Sequence, residues 1–548
     1  MKMIRKMAEK RIVASCLIFA LCSSVVAGCS GTNGNGNAST GENKGNSPEA
    51  SQATVNGESG YPESLTYWAG LNTNVAATMT TYNDIAAYKE LEKATGTKVK
   101  FQHVSADQVA DQLNLLLASG KLPDVIEADW VSVPKGPDNA IKEKRIIRLN
   151  ELIEEHAPNL SKVLQDNPEF RKMVTSDDGN IYVFPYINGD KYLLTYIGPG
   201  IRQDWLDKLH LQMPTTINEW EEVLTAFRDQ DPNGNNKKDE IPFFLDNWFI
   251  SFSGAFVGAW GITTGFYQEN GKVKYGPIQP QFKEYLETMS RWYKEGLIDR
   301  EYAAADYNVT NSRVINDQVG SLMIGGNQAG KFDTNPPNGS FSLAGATYPS
   351  LNAGEKAEIG QRDAFFSGIG AAITTSAKNP EQIVKWLDYK YSEAGHMLFN
   401  FGIEGESYTL VDNYPTYTDV IMKSPDGLPI GQAMAKYVLA SFSGPFVKDR
   451  RYYEQYAGSP EQKAAISTWT QPSNEKLMPP VTLTADDGSK FASIMNDVST
   501  YYTEMIDKFI MGAEPIDQFD DFIETITRMG IEEAVELQQA ALDRYNKR

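Results

Sequence analysis

An α/β fold built on a mostly parallel sheet is what this sequence predicts, and three observations carry the prediction. Beyond residue 60, short apolar runs alternate with amphipathic stretches in the order strand, helix, strand, helix, strand, the pattern of parallel strands joined by crossover helices. The chain has 548 residues, 41% of them hydrophobic and 22% charged, which is enough for two or more lobes with cores of their own. The first 60 residues break the pattern and read as a leader and a linker.

That leader has three parts. Lys2, Arg5, Lys6, Lys10 and Arg11 make a basic start, an apolar run follows from Ile12 to Ala27, and Val26-Ala27-Gly28-Cys29 resembles the bacterial lipobox. The expectation is a signal peptide over 1–28, with Cys29 acylated as the first mature residue. Residues 29–60 are rich in Gly, Asn, Ser and Thr and carry too little apolar surface to order themselves, so they read as a disordered tether. Its typical span is about 30 Å. The other two cysteines, Cys16 and Cys22, lie inside the signal, so disulfides, thiolate metal sites and cysteine nucleophiles are excluded from the mature chain. Removing the signal takes away five basic and one acidic side chain and moves the formal charge from −20 to −24. Such a balance argues against nucleic acid, which wants a basic face, and against adhesion to anionic lipid by charge.

Along the folded part, Ser64–Trp68 reads as a strand, Tyr82–Thr95 as a helix stopped by Gly96, and Val99–Val104 as a second strand. Asp107–Ala118 reads as a helix with Leu113, Leu116 and Leu117 on one side, ended by Gly120, and a third strand begins at Pro123. Trp68, Asp129 and Trp130 fall at strand ends, where open sheets of this kind bind ligands. Ile181–Tyr186 and Leu193–Ile197 read as further strands, and Thr215-Thr216-Ile-Asn-Glu219 as a cap before a helix ending near Phe227. Phe282–Gly296 is an amphipathic helix, Gly320–Ile324 and Phe366–Thr375 are apolar strands, Pro380–Tyr391 is a helix, and 486–548 is mostly helical.

One ten-residue stretch points to a metal. Asp231-Pro-Asn-Gly-Asn-Asn-Lys-Lys-Asp-Glu240 sets oxygen-bearing side chains at Asp231, Asn233, Asn235, Asp239 and Glu240 around Gly234, spacing that suits a hard cation such as Ca²⁺. Started instead at Asp229, the run D-x-D-x-N-G-x₅-E fits the EF-hand pattern with Glu240 as its twelfth residue. Catalytic constellations are missing. His103, His156, His210 and His396 show no zinc spacing, and there is neither a G-x-S-x-G elbow nor a Walker loop. A pair of glycosidase carboxylates is a matter of three-dimensional geometry and stays open.

Taken together, seven phrases resemble one family. They are Lys121-Leu-Pro-Asp-Val125, Asp178-Gly-Asn-Ile-Tyr182 followed by Pro185, Ile201–Leu209, Pro214-Thr-Thr-Ile217, Asp231–Pro242, Tyr293–Asp299 and Phe401-Gly-Ile-Glu-Gly-Glu-Ser-Tyr408. In this order and spacing they resemble the large extracellular solute-binding lipoproteins of bacterial carbohydrate ABC importers, particularly the branch with the alginate-binding proteins. The resemblance covers about residues 61–548. It implies a type II periplasmic-binding-protein fold, two α/β lobes with an interlobe ligand cleft. The first lobe would take 61–190 and 365–425, the second 191–364 and 426–548, with crossovers near 184–195 and 362–370.

The resemblance also implies a function. The expected protein is a non-enzymatic, monomeric receptor at the extracytoplasmic face of the bacterial cell membrane, held by the lipid on Cys29. It would capture an oligosaccharide and hand it to ABC permease subunits. Trp68, Trp130, Tyr186, Trp248, Trp260 and Tyr408 are candidate sugar platforms by their places at strand ends, the crossover and loops. Arg362 is a candidate partner for a sugar carboxylate. Trp205, Trp220, Trp292 and Trp386 lie in helical patterns and are assigned to cores. For the metal loop the resemblance favours the register starting at Asp231, with Asp231, Asn233, Asn235, the Lys237 carbonyl, Asp239 and Glu240 as ligands of a structural Ca²⁺. Two rivals stand beside the receptor: a lipid-anchored polysaccharide hydrolase and a surface carbohydrate-binding adhesion protein. The identity of the sugar is not in the sequence.

Overall fold

The computed structural model describes residues 60–245, 254, 256–305, 307–330, 341–440 and 444–548. Cys29 and Trp248 lie outside the described residues. The described residues form one compact unit. Fifteen strands are labelled in chain order among the described residues: β1 Ser64–Leu71, β2 Lys98–Ser105, β3 Val125–Asp129, β4 Phe184–Pro185, β5 Ile187–Asn188, β6 Ile197–Arg202, β7 Ile241–Phe244, β8 Phe266–Glu269, β9 Lys272–Tyr275, β10 Val319–Gly325, β11 Leu343–Gly345, β12 Ile369–Ile373, β13 Tyr408–Val411, β14 Tyr414–Tyr417 and β15 Val447–Lys448.

Two sheets organise them. The first has the order β2-β1-β3-β12-β4, with β2, β1 and β3 parallel and β12 antiparallel to β3. The β1–β2 register runs from Ser64↔Lys98 to Leu71↔Ser105. The second has the order β11-β6-β10-β7, with β7 and β10 parallel. Each sheet is packed by its own helices. The helix Ala86–Thr95 buries Ala87, Tyr88 and Leu91 and stops at Gly96, whose φ of 73° is the left-handed C-cap conformation that glycine adopts without strain. In the second lobe Ile217–Asp229 begins with a reciprocal Thr216–Glu219 capping box and buries Trp220 and Phe227. Pro280–Glu295 buries Phe282, Tyr285, Met289 and Trp292.

Differences from the sequence reading have local causes. The strand expected over Ile181–Tyr186 joins the first sheet only at Phe184–Pro185, with Ile181 bridging Thr175 instead, because the chain leaves the sheet there. Leu193 sits in a 3₁₀ turn, and the next strand begins at Ile197. Tyr82–Asp84 is likewise a 3₁₀ turn ahead of the helix.

Two apolar clusters form around the two sheets, and they do not divide at a single residue. Phe365, Phe366, Ile373, Trp386 and Phe399 pack in the first, yet Phe401, Tyr408, Tyr417 and Ile421 pack in the second. Ala435, Leu439 and Phe446 return to the first, and so does Tyr545 near the end of the chain. The reason is topological. The chain changes clusters repeatedly, and three of these passes, at 185–197, 345–369 and along 434–453, lie together at the joint.

Candidate functional site

The ends of the parallel strands in both lobes turn toward these three passes. In the first sheet β3 ends at Asp129, and the Trp130 N–H donates to the carbonyl of Gly368, on the chain returning from the second sheet (3.0 Å). In the second sheet β10 ends at Gly325, and the Gly326 N–H donates to Tyr196 O in the first pass (2.8 Å). Ligands of open α/β sheets bind at such carboxyl ends.

The passes lie side by side and are hydrogen-bonded to one another. The first and third pair as β5 with β15, and the Asn188 N–H donates to Phe365 O (2.8 Å) in the second. The Gln361 carboxamide stitches the second pass to the first: its oxygen accepts from the Tyr196 N–H at 2.9 Å, and its nitrogen donates to Leu194 O at 3.2 Å. Short paired segments like these make a hinge that can rotate without losing register.

A charged and aromatic floor sits on this hinge. The Tyr196 hydroxyl donates to Asp363 at 3.1 Å. Burial pushes the Asp363 carboxyl up from its ordinary range, opposed by Tyr196 and Lys448. Burial lowers Lys448 to about 8, with Asp363 pulling it back. Lys448 is half-buried as a residue, its ammonium 5.8 Å from the Tyr186 ring centroid and 5.3 Å from that of Tyr452. Beside it the helix Arg450–Tyr456 presents Tyr453 stacked on Tyr456 (6.1 Å, 26°), with Tyr192 edge-on to Tyr453 at 5.9 Å. The Arg450 guanidinium covers the Tyr192 ring at 4.6 Å, and Asn327, just past the end of β10, donates to the Tyr456 hydroxyl at 3.3 Å. Flat rings with polar groups at their edges are what a sugar needs, apolar faces to stack on and donors and acceptors for hydroxyls.

The candidates from the sequence are dispersed. Tyr186 lies on the floor but is buried, its hydroxyl donating to Ala440 O, and Tyr453 is buried as well; the partly exposed rings there are Tyr192, Tyr196 and Tyr456. Arg362 is exposed in the second pass, next to Asp363. Trp130 is fully buried, its indole N–H donating to Ile126 O, and Trp68 is 4% exposed within β1. Neither ring offers an open face in this conformation. Trp260 packs edge-on against Tyr285 in the second core. Tyr408 lines a separate open groove with Tyr389, Met397 and Leu398. Trp205, Trp220, Trp292 and Trp386 are fully buried, as core residues. The floor tyrosines Tyr192, Tyr453 and Tyr456 were missed. Only the pair Tyr453 and Tyr456 left a local signal, Arg450-Arg-Tyr-Tyr-Glu-Gln-Tyr456, which sets them one helical turn apart beside a cation.

The metal loop sits elsewhere. It runs into the starts of β7 and β10, through Asn233 Nδ2 to Asp317 O (3.1 Å) and the Ile241 N–H to Gln318 O (2.8 Å). The crossovers lie at the other end of these strands, about 20 Å away along β10. Fully buried Arg202 braces this end between Asp204 (2.8 and 2.7 Å) and Asp317 (2.5 Å). Asp231 takes three backbone N–H groups on its carboxylate, from Gly234, Asn235 and Asn236. The loop turns through left-handed backbone at Asp231, Gly234 and Asn236.

The donors fit a cation. Glu240 Oε1 is buried with no hydrogen-bond partner, and burial, then the charges of Asp231 and Asp239, pushes its carboxyl up. An orphaned carboxylate oxygen facing two like charges is the arrangement a divalent ion relieves. Asn233 and Asn235 turn their amides on Asp239, and a rotation of either amide presents its oxygen instead. As the loop stands, no group of three acidic or histidine side chains closes to metal-binding distance among the described residues. Asp229, first residue of the other register, is exposed and held in a bidentate pair by Arg228 (2.8 and 2.9 Å).

The family model for bacterial extracellular solute-binding proteins matches residues 72–397. The chain belongs to that family. Members bind solutes and are not enzymes, and no helix among the described residues is long and apolar enough to cross a membrane. Over 492 residues the chain is 29% identical to the fructooligosaccharide ABC transporter substrate-binding protein FusA of Streptococcus pneumoniae, covering 84% of this chain and 87% of that one. It is 26% identical over 470 residues to the lipoprotein LipO of Bacillus subtilis, covering 82% and 84% of the two chains. Among solved structures it is similar to the alginate-binding protein AlgQ2 without calcium ion, with a TM-score of 0.72 and 26% identity, covering 88% of this chain and 98% of that one. A FusA EF-hand mutant in complex with fructo-nystose gives a TM-score of 0.73 and 25% identity, covering 88% and 99%. The type II fold, two α/β lobes around a cleft, is thereby shared along the described chain.

Proposed function

We propose that this chain is the substrate-binding subunit of an ABC importer for oligosaccharides, anchored through a lipid on Cys29. The observation that supports it best is the tyrosine floor where three interlobe passes meet the carboxyl ends of both sheets. The similarity to FusA along nearly the whole chain supports the same solute class. A ligand lying on this floor touches both lobes, which is the condition for binding to drive closure. Titration calorimetry with fructo-oligosaccharides, oligogalacturonates and alginate oligosaccharides tests it. Saturable binding of one class, with compaction in small-angle scattering, is expected; no heat and no compaction with any of them sinks the proposal.

In this reading a Ca²⁺ held by Asp231, Asn233, Asn235, the Lys237 carbonyl, Asp239 and Glu240 is structural. Its support is the orphaned Glu240 oxygen and the distance of the loop from the floor. A chelator lowers Tm by removing a ligand of the native state. Sugar affinity of the folded protein stays within about twofold, a change of roughly 0.4 kcal/mol. A complete loss of affinity without unfolding would place the ion in the sugar site.

A further inference from the structure

Besides the three passes, the C-terminal part of the chain also joins the lobes. The last three helices, Ala485–Met511, Phe519–Arg528 and Ile531–Lys547, form an arm rooted in the second core through Val498, Ile506, Phe509, Phe522, Ile526 and Ile531. Gln539 fastens it to the β8–β9 hairpin, accepting from the Val273 N–H (2.8 Å) and donating to Gly271 O (3.0 Å). Both ends of the arm then leave the second lobe. At the start, Gly488 packs against the Lys135 backbone so closely that a Cβ there would come 2.3 Å from the carbonyl oxygen. At the end, Tyr545 joins the first core.

The tie at that end is a built cluster. Arg544 donates to Asp177 at 2.6 Å, and Arg548 donates to the other oxygen of the same carboxylate. Arg548 also donates to the Lys172 (3.1 Å) and Thr175 carbonyls, at the C-terminus of the helix Pro168–Val174, where a cation meets the negative end of the helix dipole. The Asp177 N–H donates to Thr482 Oγ1 at 2.9 Å. The Asp177 side chain is wholly inaccessible and that of Arg548 is 12% exposed, so the pair is largely desolvated and weakly screened by salt. A second, exposed tie joins Lys142 to Asp486 at 2.6 Å.

We infer that this arm is an interlobe latch: the Arg544–Asp177–Arg548 cluster holds the hinge in the conformation seen here and so helps to set the affinity of the cleft without touching ligand. Rotation about the three passes must either break the cluster or drag the arm out of one core. A state held by contacts absent from its alternative is favoured by their strength, and a ligand selecting between the states reports it.

The affinity arm of the test rests on the proposed function, and the scattering arm does not. Arg544→Gln with Arg548→Gln, and separately Asp177→Asn, are made in the full chain, with Lys142→Ala as an exposed control. Thermal melts establish that each folds. Ligand-free small-angle scattering of the parent should match the curve calculated from this structure. In the double variant it should depart from it, by about 1 Å in a radius of gyration near 23 Å for a chain of this size. Kd for whichever probe binds the parent, a fructo-oligosaccharide or an oligogalacturonate, should move by at least about fivefold. Lys142→Ala should change neither. The latch is overturned if the folded variants superimpose on the parent in scattering and keep its Kd, with only Tm lowered. If the double variant does not fold, Asp177→Asn decides alone. If no sugar binds the parent, the proposed function falls and scattering still decides the latch.

Discussion

Two lysines are drawn out of water in this protein, and they sit in different company. Lys390 is completely buried in the first lobe, its ammonium 4.9 Å from the ring centroids of Tyr88, Trp386 and Phe399 and 5.7 Å from that of Tyr67. Lys448 faces two rings at the hinge and keeps part of its surface open. Burial lowers both, Lys390 to about 7 against the pull of Glu127 and Lys448 to about 8 against that of Asp363. The chemistry is nearly the same and the access differs. A cation sealed behind four rings specifies a core, whereas in the proposed function the one beside the tyrosine floor lies next to the solute. Cation–π contacts and depressed pKa values do not by themselves separate the two cases, and the proposed site rests on the meeting of three chain passes instead.

The comparison breaks first at Glu127. This buried carboxylate accepts from the Tyr67 hydroxyl at 2.5 Å and supplies the negative charge that Lys390 feels. Glu127→Ala should cost about 3–5 kcal/mol in urea unfolding, since it strands one buried ionic group and one phenol. Sugar affinity of the folded fraction should not change. A loss below about 1 kcal/mol would mean that the box holds Lys390 without its counter-charge.

Lys390→Met sharpens the contrast through pH. The folded pKa of about 7 lies below the unfolded 10.5, so between these values the unfolded chain binds the proton that the fold excludes. The contribution of Lys390 to stability therefore rises with pH from about 7 toward 10.5, and below 7 the fold carries the full cost of the charged lysine. Between pH 7 and pH 9 the parent should gain about 2–3 kcal/mol from this group. The variant should lack that gain and should be the more stable protein at pH 7, as hydrophobic replacements of buried charges often are. Identical pH slopes in parent and variant would move the titrating group elsewhere. Lys448, lowered only to about 8, should add its own gain over a narrower window, from about 8 toward 10.5.

The sequence was informative where a residue's chemistry is local and silent where it depends on assembly. Gly96 and Gly296, at φ of 73° and 77°, end their helices where the spacing placed them, and Thr216 with Glu219 caps its helix as the motif implies. The Asp231–Glu240 loop could be proposed as a cation site from sequence because its donors lie within ten residues. The floor could not. Tyr192, Lys448 and Tyr453 come from two passes separated by more than two hundred residues, and nothing in their neighbours in sequence brings them together. The tryptophans expected at strand ends are buried for a related reason: a strand end also begins the turn that packs beneath it, and Trp130 points inward.

The smallest effect tests the open side of the comparison. Tyr456 is half-buried, stacks on Tyr453, packs against the second core, and accepts from Asn327 just past the end of β10. Removing the ring deletes a platform while leaving the fully buried Tyr452 and the Lys448 contact in place. Tyr456→Ala should weaken sugar binding by about 1 kcal/mol, roughly fivefold in Kd. Tyr456→Phe keeps the ring and loses the acceptor for Asn327, so it should weaken binding less. Calorimetry on both variants separates the two contributions. If Phe is as damaging as Ala, the hydroxyl network and not the ring face holds the sugar, and the floor acts through hydrogen bonds. If neither changes Kd, the solute does not lie on this helix, and the half-buried Lys448 is as much a core residue as Lys390.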